Sequence, residues 1–286
     1  MRWIATLGVV SYLAHKPALV SYDEHLLSDS TGINFITPFR FYTFQSFSDI
    51  VLSFLTFLHM NIISDLLWIL FPELCASCDK ALNTGETCLC TYCRFHLPKT
   101  NFHLDKNNPL VKNFWGKVNV HSAAAYYYFG KGEKVQHLIH QLKYQGKKEV
   151  GNFVGEAYGV DLKRSEFFSS SEIVVPVPLH SSKLRKRGFN QSDFFAQGLS
   201  KTMNIPFSPD ALKRNLATET QTRKHRYDRF ENVDRVFAVN KIELLKGKHV
   251  LLVDDVVTTG STLTACAEAI LELPNTKVSI AAMAYA

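Results

Sequence analysis

Short β-branched apolar runs alternate along this chain with segments of helical period. Val250, Leu251, Leu252 and Val253 form one run, the pattern of a strand buried on both faces of a parallel sheet. Leu263, Ala267 and Ile270 then recur at spacings of four and three, which predicts a helix. Ile173 to Val175 predicts a second buried strand, stopped by Pro176-Val177-Pro178, because proline cannot donate to a ladder. Ala123 to Phe129 and Val278 to Ala284 read as further strands, the latter ending the sheet. Val135, Leu138, Ile139 and Leu142 share one face of a helix over 134–144, which Gly146 ends. More helices are expected over 148–162 and 191–202, the second capped by Asn190. Residues 99–118 read as a polar connector, and the basic stretch 212–237 as a mobile flap.

The first 59 residues are rich in phenylalanine and hold no steady period. Residues 50–71 are mostly apolar and about long enough to cross a bilayer, but they contain His59, Asn61, Ser64 and Asp65. A carboxylate inside such a segment is costly in lipid, so no transmembrane span is expected. Ile62, Ile63, Leu66, Leu67, Ile69 and Leu70 instead suggest an amphipathic helix. No secretory signal pattern is seen. Met60 offers an internal start, and residues 1–59 are expected to be a dispensable extension.

Two adjacent carboxylates, Asp254 and Asp255, follow the run at 250–253, and after two valines comes Thr258-Thr259-Gly260-Ser261-Thr262. Each part suits a phosphorylated sugar. Gly260 permits a left-handed turn and close backbone approach. The amides opening the next helix favour an anion, and the four hydroxyls add donors. The carboxylates suit ribose hydroxyls or Mg²⁺. A capped helix after a buried strand would explain the Ser and Thr, but not two acids at the carboxyl end of that strand, where open α/β sheets bind ligands.

Five of the six cysteines lie between Cys75 and Cys93. Cys75-x₂-Cys78-x₁₁-Cys90-x₂-Cys93 makes two knuckles able to offer four thiolates to a structural Zn²⁺. Asn83, Thr84 and Gly85 supply the turn between them, and Cys88 is the spare. Such clustering in a long chain fits a reducing, cytoplasmic compartment rather than a disulfide scaffold. At 286 residues and 46% hydrophobic content the chain has ample material for a core. The net charge of +6 is concentrated: 179–229 holds 11 Lys or Arg against 4 Asp or Glu. That belt suggests an anionic partner.

Residues 250–262 closely resemble the phosphoribosyl-pyrophosphate (PRPP) signature of type I phosphoribosyltransferases. Neither a Walker A loop nor a Gly-x-Gly-x-x-Gly fingerprint is present. Val-Pro-Val-Pro-Leu followed by Arg-Gly-Phe-Asn-Gln at 187–191 is very similar to the ComF/GntX signature. Lys143, Tyr144 and Gly146 echo another stretch of that family. Leu212, Arg214, Thr218, Gln221, Arg229, Asn232 and Phe237 continue the resemblance, and the start at Met60 resembles the opening of its bacterial members.

The resemblance implies three parts: an extension at 1–59, a leading helix and zinc ribbon at 60–104, and a phosphoribosyltransferase-like domain at 105–286. It also implies that PRPP and Mg²⁺ are bound, with Asp254 and Asp255 holding the ribose and 258–262 the 5′-phosphate. Arg187 and Lys183 would then face the pyrophosphate. Phosphoribosyl transfer, a link to competence and DNA uptake, and a homo-oligomer are its further expectations. The alternative is a non-catalytic protein holding a nucleotide or single-stranded DNA. In that reading Phe189, Tyr227 and Phe230 stack on bases, against the plainer reading that they pack in the core.

Overall fold

The computed structural model describes residues 70–130, 133–215 and 236–286. The expectations for 1–59 and the leading helix, and those for Thr218, Gln221, Tyr227, Arg229, Phe230 and Asn232, lie outside the described residues. In chain order the elements are α1 (Thr91–His96), α2 (Pro109–Lys112), β1 (Ser122–Tyr128), α3 (Lys134–Tyr144), α4 (Lys148–Arg164), β2 (Ile173–Pro176), α5 (Ser181–Arg187) and α6 (Gln191–Met203). Then follow β3 (Leu212–Arg214), β4 (Phe237–Val239), α7 (Ile242–Leu245), β5 (His249–Val257), α8 (Ser261–Leu271) and β6 (Lys277–Tyr285).

Four strands make one parallel sheet in the order β1-β6-β5-β2. Burial is continuous along β5 as far as Val253 and through most of β6, as a parallel sheet covered on both faces requires. β6 does not end the sheet in space: it runs between β1 and β5. β5 is longer than its apolar run. β2 stops opposite Val253, at Pro176, whereas β6 stays paired with β5 as far as Val257 and Tyr285. Asp254 and Asp255 therefore sit inside a strand, just beyond the point where one neighbour leaves it.

Two further expectations are corrected, and one element is added. The connector over 99–118 is part of the core: Phe102, Leu110, Val111 and Phe114 are buried. Its polar signal came from Asn108, which accepts from the amides of Leu110 and Val111 and donates to the carbonyl of Ala123 at 2.8 Å. The basic run after β2 is a helix, α5, whose left-handed cap is Gly188. Residues 212–214 and 237–239 are an antiparallel pair rather than flap; 216–235 lie outside the described residues.

α6 lies against α4 with the backbones in contact. Gly151, Gly155 and Gly159 recur every four residues on α4. A Cβ on Gly155 would strike the Phe195 carbonyl, and one on Gly198 the Asn152 carbonyl. This close fit, with Phe195 and Leu199 fully buried, sets where the first turn of α6 points. No helix among the described residues is long and apolar enough to cross a membrane.

Candidate functional site

The cysteine cluster forms before any sheet residue is needed. Leu74 bridges Ala81, Thr87 bridges Leu89, and the Gly85 turn lies at φ +90°. The Glu86 carboxylate accepts from Asn83 N at 2.7 Å and from Thr91 N at 2.6 Å, tying the turn to the start of α1. The sulfurs of Cys75, Cys78, Cys90 and Cys93 then lie within 4.8 Å of one another. Cys78 Sγ and Cys90 Sγ are 3.7 Å apart. A tetrahedral zinc with Zn–S of about 2.3 Å requires about 3.8 Å between sulfurs, so the donor set fits zinc. Four thiolates leave no open position, the mark of a structural site. Cys88 is outside this group.

The acidic pair is held by the first turn of α6. Ser192 Oγ donates to Asp254 Oδ1 at 3.0 Å, and Gln191 Nε2 donates to Asp255 Oδ2 at 3.1 Å. The Asp255 amide also donates to Asp254 Oδ1 at 2.8 Å. From the end of α3, Lys143 Nζ reaches Asp255 Oδ2 at 2.9 Å. Each carboxylate is thus tied by one oxygen. Burial, and then the charge of Asp255, push the Asp254 carboxyl up to about 7. Gln191 Oε1 is buried with no partner among the described residues, an acceptor suited to a hydroxyl donor.

Asn190 does not cap α6 with its side chain; it donates instead to the carbonyl of Val177 at 3.0 Å and to Asp193 at 2.7 Å. It locks the exit of β2 to the start of α6. Gln191, Ser192 and Lys143 were not expected as site residues. Their only signal was position within, or for Ser192 just after, the Arg-Gly-Phe-Asn-Gln and Lys-Tyr-x-Gly stretches; a Gln and Ser at a helix start otherwise read as capping groups.

Gly260 takes the left-handed conformation at φ +75° and precedes α8 directly. Thr258, Thr259, Ser261 and Thr262 are exposed around it, with Thr259 Oγ1 and Ser261 Oγ 2.8 Å apart. A Cβ at Gly260 would come within 3.1–3.2 Å of the Phe114 ring. Packing against Phe114 and the positive φ both favour glycine here. Arg187 lies over the Tyr144 ring at 5.1 Å and its Nη2 donates to the Tyr144 hydroxyl at 3.5 Å, which sets it beside the Lys143 end of α3. Lys183 is exposed on α5, and no hydrogen bond or ion pair among the described residues ties it to the acidic pair. Phe189 packs edge-on against Phe194, with Lys148 over both rings, which favours packing over base stacking. A cavity lined by Val118, Phe237, Ala265 and Ala269 contains none of these residues.

A parallel sheet bearing an acidic pair, followed by a glycine turn that opens a helix, defines a phosphoribosyltransferase-type domain. The family model described as "Phosphoribosyl transferase domain" matches residues 191–286. The chain is 32% identical over 203 residues to the DNA utilization protein YhgH of Escherichia coli (strain K12), covering 69% of this chain and 84% of that one. It is also 32% identical to Competence protein F of Haemophilus influenzae, over 54% of this chain and 69% of the relative. Competence protein ComFC of Bacillus subtilis is 28% identical over 42% of this chain and 50% of its own. The chain belongs to the ComF family.

Proposed function

We propose that this protein binds PRPP, or a related ribose 5-phosphate ligand, together with Mg²⁺. Asp254 and Asp255 hold the ribose hydroxyls, directly or through the ion, by the carboxylate oxygens that α6 and α3 leave unbonded. Hard carboxylate oxygens beside a site open to ligand and water suit Mg²⁺. Thr258, Thr259, Gly260, Ser261 and Thr262 cradle the 5′-phosphate at the start of α8. Arg187 and Lys183 face the pyrophosphate. The observation that carries this reading is the acidic pair, Asp254 half-buried and Asp255 buried, each pinned by one oxygen and followed by the Gly260 turn.

Where transfer occurs, the C1′ centre gains positive character as pyrophosphate leaves, and these residues position and stabilise that charge. Zn²⁺ in the four-cysteine ribbon is structural. We assign the ribbon to 60–104, the binding domain to 105–286 and the protein to the cytoplasm, acting as a monomer or homo-oligomer. Relatives carry the names DNA utilization and competence protein, and a role in DNA uptake is proposed on that basis. A second reading, binding of a nucleotide or single-stranded DNA, is favoured by the exposed Lys183, Arg185 and Lys186 of α5.

The test is calorimetry with PRPP and Mg²⁺. Asp255→Asn keeps the shape and removes a charge, and affinity is expected to fall roughly ten- to a hundred-fold. PRPP binding that is absent, or unchanged by Asp255→Asn, would refute the reading. Steep loss of single-stranded DNA binding with salt, without PRPP binding, would establish the second.

A further inference from the structure

Among the described residues, Lys143 is the cation paired with the acidic pair. Its ammonium is 2.9 Å from Asp255 Oδ2, and the two side chains are only 20% and 12% exposed. Asp255 Oδ2 also accepts from Gln191, so that oxygen is fully engaged. At pH 8, above the raised value of Asp254, the pair carries two negative charges, of which Lys143 balances one. A divalent ion at the same carboxylates would sit a few ångströms from the ammonium, and like charges that close in a poorly solvated site repel strongly. Lys143 lies at the end of its helix, the penultimate residue of α3, on a long flexible stem, and the chain turns just after it at Gly146, φ +71°.

We propose that Lys143 is a built-in competitor for the divalent cation: its ammonium neutralises Asp255 beside the unbonded carboxylate oxygens that the ion would bind, and the ion enters as Lys143 swings out. Lys143 is thus a positioning residue that sets the cation concentration at which the site loads. This rests on the reading of Asp254 and Asp255 as the cation and ribose site.

The full chain, zinc-loaded, is titrated with Mn²⁺ at pH 8, and bound ion is read by water-proton relaxation. Lys143→Gln is expected to tighten Mn²⁺ about ten-fold or more, the scale of one charged contact. Lys143→Arg, which keeps the charge, stays near wild type, and Asp255→Asn loses Mn²⁺ in every background. Equal or weaker Mn²⁺ binding by Lys143→Gln overturns the proposal, as does an Arg variant that behaves like Gln or a wild type that binds no Mn²⁺. Should Lys143→Gln fail to fold, amine labelling of the wild type read by mass spectrometry decides: Mn²⁺ raises labelling at Lys143, and unchanged labelling overturns the proposal. The two readings fail separately. PRPP binding with no Lys143 effect sinks only the competitor; a Lys143 effect with no PRPP binding sinks only the phosphoribosyl ligand.

Discussion

Burial and a neighbouring imidazole settle the state of His249. Its Nδ1 lies 2.9 Å from Ser170 Oγ and its Nε2 2.8 Å from Ser279 Oγ, with the His121 ring edge-on at 4.9 Å. Burial, then His121 and Lys277, hold it down at about 4, against 6.5 in an open chain. The neutral form is thus favoured by folding. Stability is unaffected above 6.5 and is lost as pH falls from 6.5 toward 4, where the unfolded chain protonates first. The loss is on the order of 3 kcal/mol. In chemical denaturation between pH 7 and 4, His249→Gln is expected to lose less stability than wild type, the gap closing only below pH 6.5. A gap independent of pH would show that His249 is not held neutral. At this scale the sequence was most readable where chemistry needs a rare residue. Asp254, Asp255 and Gly260 stood out, whereas Lys143 did not, because a lysine near a helix end ordinarily serves the helix dipole.

α3 fell where its apolar spacing put it, at 134–144, since a one-sided stripe marks a helix fully. β5 was underestimated because its length depends on how far β6 accompanies it, which no local pattern records. The ribbon was legible from spacing alone. Replacing Cys90 and Cys93 by serine is expected to take bound zinc from about one per chain to near zero. Amides at 74–97 should then exchange freely while β5 and β6 stay protected; full zinc occupancy would refute the ligand set. α5 was hidden because its run of charges gives no apolar stripe, and the structure buries none of its residues. It contributes through Arg187, stacked on Tyr144. Arg187→Ala should weaken pyrophosphate-bearing ligands more than ribose 5-phosphate in parallel calorimetry. Equal loss for both would place Arg187 away from the pyrophosphate.

At the scale of the whole molecule the fold class was plain and the strand order was not. Alternating strands and helices dictate a parallel sheet, but nothing local says that the last strand enters between β1 and β5. The same holds for what α3 joins. At its start Ser77 Oγ donates to the Lys134 carbonyl, Asp79 pairs with His137 at 3.1 Å, and the Lys134 ammonium lies over the Tyr92 ring. At its far end Lys143 meets Asp255. A rod of three turns, about 16 Å long, therefore rests its start on the cysteine knuckles and its tip on the acidic pair. A helix braced at both ends ties the order of the ribbon to the placement of Lys143, so loosening the cysteine knuckles is expected to loosen the Lys143 contact with Asp255 though no residue touches both places.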